Sequence, residues 1–190
     1  MPFAREKARL RKAMRVRRAA FVGGRDDAER IVANFIAVAE TLGISRETVV
    51  AGYWPIGGEA DVRPLLAKLS DMGATCVLPV IEGSAQALRF REWRPGDQLG
   101  DAPLGTRQPT ADKPWGIPDV VLVPLLAFDA RGYRLGQGGG YYDRTLTGLS
   151  AFSVGIAYSC QQVSEVPRDA HDRRLDWIVT EQALIEAKEE

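Results

Sequence analysis

Residues 134–144 read RLGQGGGYYDR and place four glycines within five consecutive positions. An apolar run, VVLVPLLAF at 120–128, precedes this segment. A helix-compatible run, YYDRTL at 141–146, begins within its last residues and continues past them. Glycine adopts backbone conformations that are closed to other residues and lets backbone N–H groups approach a ligand closely. Successive N–H groups in such a loop form a concave anion site. The pattern therefore predicts a strand, a glycine loop and a helix, an arrangement that holds phosphate.

The glycine loop alone leaves two interpretations open. A glycine-rich turn is often only a tight connection between two elements. The segment is not a P-loop, because no Lys-Ser or Lys-Thr pair follows the glycines. It is not the dinucleotide fingerprint either, because the first strand of the chain is far upstream and no ribose-binding acid is evident. The loop therefore indicates phosphate without identifying the ligand. The carboxylate of Asp143, next to the glycines, has the chemistry to hold the magnesium ion that accompanies a nucleotide.

Length and composition limit the class of protein. The 190 residues are enough for one domain with a substantial core, and a hydrophobic content of 45% is typical of a globular protein. We expect a single domain over residues 1–190. No apolar run approaches the length of a membrane span, and the charged start is unlike a secretory signal. We therefore expect no membrane partner.

Cysteine and histidine usage points to a reducing compartment. Cys76 and Cys160 are too few for a disulfide framework, and the single histidine, His171, excludes a multi-histidine metal site. His171 also lacks any serine or cysteine motif that would indicate a catalytic triad. We expect a cytoplasmic protein.

The net charge is zero but unevenly distributed. Residues 1–18 hold eight of the 25 bases and one of the 25 acids, so the rest of the chain is negative. Such a segment indicates an anion site where it meets the acidic body, nucleic-acid binding, an organelle presequence or merely a solvated helix. Presequences usually contain serine, which is absent here, and no aromatic residues interleave with the bases. We expect no nucleic-acid partner. Four bases lie three or four residues apart on one helical face: Lys7, Arg11, Arg15 and Arg18.

Helical and strand-like patterns alternate along the chain. Helices are predicted at residues 4–21, 26–41, 61–72 and 141–149, with a charged helix reaching residue 190. Strands are predicted at 48–54, 74–80, 88–93, 120–124, 152–158 and 176–180, and a long ordered loop at 94–118. The alternation favours an α/β fold with a mostly parallel sheet flanked by helices on both faces, preceded by the basic N-terminal helix.

Five segments, taken in order, resemble the 5-formyltetrahydrofolate cyclo-ligase family, also called 5,10-methenyltetrahydrofolate synthetases. They are KARLR at 7–11, YWPIGGEAD at 53–61, LVPLLAFDARGYRLGQGGGYYDRTL at 122–146, VGIAYSCQQV at 154–163 and VPRDAHDRRLDWIVTE at 166–181. The resemblance implies an α/β sandwich. It also implies an enzyme that uses ATP and Mg²⁺ to convert 5-formyltetrahydrofolate to 5,10-methenyltetrahydrofolate. In that reaction the formyl oxygen is phosphorylated, N10 attacks the activated carbon, and ADP and phosphate are released.

The resemblance also implies roles for individual residues. Arg134 and Tyr142 match catalytic positions, and Asp143 and Asp172 match the magnesium ligands. The ATP-binding positions are Lys7, Arg11, Arg134, Leu135, Gly136, Gln137, Gly138, Gly139, Gly140, Tyr141 and Tyr142. The folate-binding positions are Trp54, Glu59, Gln137, Gly138, Gly139, Gly140 and Tyr141.

The chemistry of these residues agrees with the implied roles. Lys7 and Arg11 are an i,i+4 pair that can grip a polyphosphate, and we expect them on an exposed helical face. Glu59 follows a strand and a Gly-Gly turn, and its carboxylate can accept paired hydrogen bonds from the aminopyrimidine edge of a pterin. Trp54 can stack on the flat pterin ring, although a tryptophan at a strand end is more often part of the core.

Each assignment has a purely structural alternative. Lys7 and Arg11 would then be solvated bases, and Glu59 a surface turn residue. Asp143 would only oppose the dipole at a helix start, and Asp172 would only form a weak surface ion pair with a neighbouring arginine.

One position departs from the pattern of the family. Some members place lysine within the glycine loop where Gly139 stands here. Arg134, Lys7, Arg11 and the metal must then neutralise the transferring phosphate in this chain.

Two other functions remain open at this level. Sugar-phosphate isomerases and acyl-CoA transferases share a similar fold, and fold alone does not decide function. The second is a regulator that binds folate or a nucleotide without turnover. The presence of Asp143 and Asp172 argues against it.

Overall fold

The computed structural model describes residues 2–21, 23–169 and 172–187. Its helices are α1 (Pro2–Ala20), α2 (Arg25–Ala39), α3 (Arg63–Asp71) and α4 (Tyr141–Thr147). The first six strands are β1 (Val49–Ala51), β2 (Thr75–Val80), β3 (Arg89–Glu92), β4 (Leu99–Asp101), β5 (Arg107–Pro109) and β6 (Trp115–Gly116). The others are β7 (Val120–Pro124), β8 (Ala127–Phe128), β9 (Arg134–Leu135), β10 (Phe152–Ile156), β11 (Trp177–Val179) and β12 (Leu184–Glu186).

Eight strands form one sheet in the order β12-β11-β10-β7-β1-β2-β3-β6. The five central strands, from β11 to β2, pair in parallel. The strands at the two edges pair antiparallel. Because parallel strands end on the same side of a sheet, the segments that follow β1, β7, β10 and β11 meet along one edge, which we call the carboxyl edge. The predicted mostly parallel sheet is confirmed.

The sheet is buried on both faces. Neighbouring residues of β1 show this, because Val50 belongs to a core cluster with residues of α2 and α3, whereas Ala51 belongs to a cluster with Leu146 of α4. Burial on both faces explains why the central strands read as continuous apolar runs rather than alternating ones. Helices therefore cover both faces, as the sequence predicts.

Helix α1 packs over the carboxyl edge. Met14 is 3% exposed and joins a third buried cluster with Leu126, Ala127, Leu135 and Val166. These partners come from the segment after β7, from β8 and β9, and from the segment after β10. The helix therefore covers the loops in which the predicted site residues lie.

The secondary structure of residues 94–118 and of residues 184–186 differs from the prediction. Residues 94–118 are not a plain loop, because β4 and β5 form a hairpin and β6 joins the edge of the main sheet. The strands are only two or three residues long, which is too short for periodicity to reveal. The predicted C-terminal helix is wrong over residues 184–186, where β12 pairs antiparallel with β11, so edge pairing outweighs local helix propensity there. Residues 188–190 lie outside the described part.

Among the described residues, no helix combines the length and the apolar character that crossing a bilayer demands. This agrees with the absence of a long apolar run in the sequence.

The packing of α1 predicts a contrast between two positions two residues apart. Met14→Ala removes a buried side chain from the cluster under the helix and should lower the free energy of unfolding by about 2–5 kcal/mol. Val16 is 66% exposed on the same helix, so Val16→Ala should change it by no more than about 0.5 kcal/mol. Urea denaturation followed by circular dichroism measures both, and equal effects would contradict the docking of α1.

Candidate functional site

A short hairpin aims the glycine loop toward α1. Strand β8 pairs with β9, and the backbone N–H of Leu126 donates to Leu135 O at 2.8 Å. The turn of the hairpin is held by the fully buried carboxylate of Asp129, which accepts from the N–H groups of Arg131 at 3.0 Å and Val166 at 3.0 Å. The sequence pattern does not predict this hairpin. It fixes the point at which the chain enters the loop at residue 134.

The loop needs glycine at two positions. Gly138 has φ +109° and Gly140 has φ +67°, in the region that side chains with a Cβ rarely adopt. Gly140 also immediately precedes α4. The predicted glycine loop followed by a helix is therefore confirmed, with a backbone that other residues would strain.

Cations of α1 lie directly on this loop. Arg11 Nε donates to Gly136 O at 2.9 Å, and Arg15 Nη2 donates to the side-chain oxygen of Gln137 at 3.1 Å. A Cβ at Gly138 would lie 3.4 Å from Cζ of Arg11. The structure thus brings Arg11 and the predicted ATP loop into one place.

Lys7 is not on an exposed face, so that expectation is wrong. The residue is 8% exposed, because α1 packs this side against Asp169 and Asp172. Its Nζ lies 2.8 Å from Asp169 Oδ2 and 2.5 Å from Asp172 Oδ2. Burial lowers the pKa of Lys7, but hydrogen bonds and charge from the two carboxylates outweigh it, and the net shift is upward. Lys7 is therefore a partly buried cation between two carboxylates.

Arg134 belongs to a charged cluster that also contains Lys7, Asp143 and Asp172. It is 7% exposed, and its Nη2 donates to Asp143 Oδ1 at 2.7 Å while its Nη1 donates to Arg173 O. Burial lowers the pKa of Arg134, against the opposing charges of Asp143 and Asp172. Both predicted metal ligands are therefore close enough to Arg134 to act on its charge.

The two carboxylates fit a metal that arrives with a phosphate ligand. Within the described ranges, no group of three or more His, Cys, Asp or Glu side chains could hold a metal ion. Asp143 and Asp172 supply two oxygen donors, and each is neutralised by a cation in this structure, Arg134 and Lys7 respectively. Magnesium in phosphate-handling sites commonly takes one or two carboxylates and completes its shell with phosphate oxygens and water. The pair suits that chemistry rather than a protein-only cage.

A rigid turn after β1 presents Glu59. Gly57 and Gly58 have φ +52° and +77°, and the backbone N–H of Glu59 donates to Ile56 O at 3.0 Å. In return, the N–H of Ile56 donates to Glu59 Oε2 at 3.1 Å. The hydroxyl of Tyr53 closes the segment by donating to Ala60 O at 2.8 Å. Glu59 therefore has a fixed orientation, unlike a side chain on a mobile surface turn.

The surroundings of Glu59 are partly desolvated. Burial raises the pKa of Glu59, against the N–H of Ile56, the charge of Arg18 and the side chain of Gln137. Burial also raises the pKa of Tyr142, with a further contribution from the charge of Glu59 and an opposing one from Arg134. The pKa of Tyr142 therefore responds to charges from both parts of the predicted site, Glu59 and Arg134.

Trp54 lies next to the same turn, and both its backbone carbonyl and its ring contact other residues. Its carbonyl accepts from Thr106 Oγ1 at 3.2 Å, and its ring meets that of Trp93 edge-on with centroids 6.2 Å apart. The Arg63 guanidinium lies 5.4 Å from the ring centroid. Trp54 remains half-buried, so it packs on the core while part of its surface stays accessible.

Two residues of this region were not assigned from the sequence. Asp169 is the second carboxylate that binds Lys7. Nothing in the sequence indicates this role except that Asp169 lies close to Asp172 in the chain. Arg18 was recognised only as one of four bases on a helical face, yet it is 5% exposed and bonded to Gly57 O at 2.8 Å. His171, judged from the sequence to lack a catalytic partner, lies outside the described residues.

Comparison with known proteins finds relatives along most of the chain. Residues 4–181 match the sequence model of the 5-formyltetrahydrofolate cyclo-ligase family. A Mycolicibacterium smegmatis protein named 5-formyltetrahydrofolate cyclo-ligase is 36% identical over 151 residues, which cover 73% of this chain and 76% of that protein. The Escherichia coli K12 protein of the same name is 37% identical over 139 residues, covering 69% and 76%. The solution structure of Aquifex aeolicus 5,10-methenyltetrahydrofolate synthetase matches with a TM-score of 0.81 at 31% identity, covering 97% of this chain and 94% of that one.

The burial of Lys7 predicts a stability effect that a solvated base would not have. Lys7→Ala should lower the free energy of unfolding by about 1–3 kcal/mol, less than a fully buried pair because Asp169 is 47% exposed. Folding raises the pKa of Lys7 above 10.5, so this stabilisation is complete at neutral pH and is lost as the pH rises through the folded value.

The matched control is Lys12→Ala, because Lys12 is an exposed lysine on the same helix. Urea denaturation at neutral pH should leave the control within about 0.5 kcal/mol of the parent protein. Indistinguishable values for the two variants would show that the contacts of Lys7 contribute nothing.

Proposed function

The chain belongs to the 5-formyltetrahydrofolate cyclo-ligase family, and from that premise we propose that it converts 5-formyltetrahydrofolate to 5,10-methenyltetrahydrofolate with consumption of ATP. One structural observation supports the ATP-coupled reaction above the others. Helix α1 gathers Lys7 and Arg11 beside the glycine loop and the Asp143–Arg134 pair, on the same edge of the sheet as Glu59. A polyphosphate and a pterin would then lie next to each other, as phosphoryl transfer between them requires.

The nucleotide end is built from backbone donors and cations. The glycine loop offers N–H groups at positions where a side chain would obstruct close approach. Lys7, Arg11 and Arg134 add positive charge around it. We assign the ATP-binding role to these three residues and to Leu135, Gly136, Gln137, Gly138, Gly139, Gly140, Tyr141 and Tyr142.

Asp143 and Asp172 would hold the magnesium ion that accompanies the nucleotide. When bound, the ion would neutralise phosphate charge and orient the transferring group. With Asp143 and Asp172 holding the ion, the donors of Arg134 and Lys7 that they now engage would be available to phosphate oxygens. Gly139, where some relatives carry lysine, leaves this neutralisation to Lys7, Arg11 and Arg134.

The folate end is organised by Glu59. Its fixed carboxylate can accept two hydrogen bonds from the amino and ring N–H groups of a pterin, and charge-assisted bonds of this kind are strong. The accessible part of Trp54 provides an aromatic surface for the flat ring. Residues 137–141 of the loop complete the wall between folate and nucleotide.

The chemistry needs positioning and charge stabilisation rather than a protein nucleophile. The formyl oxygen is a poor leaving group until ATP phosphorylates it. N10 of the folate then attacks the activated carbon, loses its proton, and the C–O bond breaks to release phosphate. In this proposal Arg134 stabilises charge on the transferring phosphoryl group. Tyr142, whose pKa is raised, stays protonated at neutral pH and can donate a hydrogen bond at the junction of the two substrates.

The same geometry argues against nucleic acid as the ligand of α1. Of the four bases on one face, Lys7 is 8% and Arg18 is 5% exposed, so neither presents its charge on the outer surface of α1, where an extended phosphate backbone would lie. Phosphate-backbone binding depends on cations that remain available to the nucleic acid. A cytoplasmic location stays a prediction from the cysteine usage.

The proposed reaction is tested by mixing the protein with 5-formyltetrahydrofolate, ATP and magnesium and following the absorbance of the methenyl product. Product should form only with all three present, and ADP and phosphate should appear in a one-to-one ratio with it. Formation at full rate without ATP and magnesium would contradict the proposal. No product under any of these conditions would contradict it as well.

The glycine loop is tested by Gly138→Val with Gly43→Val as its control. Both positions have positive φ, so each change should cost about 1–3 kcal/mol of stability from backbone strain. Gly43 lies at the end of α2, away from the carboxyl edge, so its variant should keep ATP binding. Gly138→Val also places a side chain against Arg11 and should abolish ATP binding and turnover together.

The comparison is made by ATP titration at a temperature where circular dichroism shows both variants folded. Unchanged ATP affinity in folded Gly138→Val would mean that the loop is only a tight connection. Equal loss of ATP binding in both variants would mean that strain, rather than the place of the loop, is responsible.

A further inference from the structure

Arg18 is a buried cation on α1 to which neither the sequence nor the proposed chemistry gives a role. It is 5% exposed, its Nη2 donates to Gly57 O at 2.8 Å, and its Nη1 donates to Leu125 O at 3.4 Å. Gly57 belongs to the turn after β1, and Leu125 follows β7 directly. Burying a charge is costly unless hydrogen bonds and opposite charge compensate for it. The hydrogen bonds from Arg18 to the carbonyls of Gly57 and Leu125 therefore offset part of the cost of burying its charge.

The turn that Arg18 holds is the turn that carries Glu59. Gly57 is two residues before Glu59, and both glycines of the turn have positive φ. Glycine has no Cβ to restrict its backbone, so a turn with two glycines needs contacts from its surroundings to hold one geometry. The contact from Arg18 to Gly57 O fixes the turn from the side of α1, while the hydroxyl of Tyr53 closes it from the other side.

Charge links the same two residues. The negative charge of Glu59 raises the pKa of Arg18 against the lowering caused by burial, and the positive charge of Arg18 lowers the pKa of Glu59 against its burial. Besides burial, the groups that act on Glu59 are the backbone N–H of Ile56, Arg18 of α1 and Gln137 of the glycine loop. The charge of Glu59 in turn raises the pKa values of Tyr53 after β1 and Tyr142 of α4. Arg18 is the cation of this set.

We propose that Arg18 is a positioning residue for folate, which orients the Glu59 turn through Gly57 O and supplies positive charge beside that turn. The inference rests on the proposed function, in which Glu59 receives the pterin. Arg18 acts through the turn and through its charge, without touching the reacting atoms. Its effect should therefore fall on folate affinity and not on nucleotide affinity.

The guanidinium suits this task better than an ammonium would. Its planar fork reaches carbonyls of two different segments at once, one after β1 and one after β7. Lysine at this position would keep the charge near Glu59 but could not hold both carbonyls in the same way. Arg18→Lys should therefore retain the charge effect and lose part of the positioning.

The test compares Arg18→Met, Arg18→Lys and the control Arg17→Met. Arg17 is the exposed neighbour, with a long contact of 3.5 Å to Gln162 O. Equilibrium binding of 5-formyltetrahydrofolate without ATP, and of ATP without folate, is measured for each folded variant. Arg18→Met should weaken folate binding roughly 10- to 100-fold while changing ATP affinity less than about 3-fold. Arg18→Lys should fall between, and Arg17→Met should match the parent protein.

Two further readouts separate positioning from a structural role. Without the cation, the carboxylate of Glu59 takes up a proton at higher pH, so the acid limb of folate binding in Arg18→Met should move to higher pH. Combining Arg18→Met with Glu59→Gln should add little to the loss caused by Glu59→Gln alone, because both changes act on one contact.

Several results would overturn the inference. They are parent-like folate affinity in folded Arg18→Met, equal loss of folate and ATP affinity, or losses that add fully with Glu59→Gln. If Arg18→Met does not fold, Arg18→Lys carries the same comparison, and unchanged folate affinity there overturns the inference. A parent protein that binds ATP but no folate would instead contradict the proposed function itself.

Discussion

The burial of positive charge under helix α1 is the constraint on which the rest of the site depends. A helix so rich in arginine and lysine has little apolar surface, and Met14 supplies its deeply buried anchor. The helix can dock because the carboxyl edge offers oxygen atoms to its cations: the carboxylates of Asp169 and Asp172 to Lys7, and the carbonyl of Gly136 to Arg11. Lys7 thus joins the basic helix to two acids of the remaining chain.

This arrangement lets the site exist in a charge-compensated form before any substrate binds. Asp172 is paired with Lys7 and Asp143 with Arg134, so two buried cations lie against two partly exposed carboxylates. On the proposed function, a magnesium ion and a polyphosphate bring the same two signs of charge into the site. Each protein group would then exchange one partner for another of the same sign. The desolvation that makes buried charges costly has largely been met during folding.

Much of the architecture could be predicted from the sequence, because long apolar runs and amphipathic helices report their own period. The central strands β2, β7 and β10, the helices α2 and α3, and the glycine loop lie where the pattern places them. The short strands β4, β5, β6, β8 and β9 escaped prediction, since two or three residues cannot express a period and their pairing is set by neighbours distant in sequence. The C-terminal strand β12 has helix-forming residues, and its pairing with β11 overrides them.

The residues of the candidate site likewise fall into those that the sequence predicts and those that it does not. The glycine loop, Glu59 and the two aspartates carry recognisable local motifs, whereas the partners that hold them do not. Lys7 was expected in solvent because a helical face says nothing about what packs against it. Asp169, Asp129 and Arg18 gain their importance only from contacts between segments more than 30 residues apart in the chain.

The central claim, that α1 and the glycine loop form one nucleotide site, is tested most directly by hydrogen–deuterium exchange with and without ATP and magnesium. The account predicts slower amide exchange in peptides from residues 2–20 and 134–144 together when the nucleotide is added. Peptides from α3, which packs on a face of the sheet, should be unchanged. Slower exchange in residues 134–144 with no change in residues 2–20 would contradict the claim.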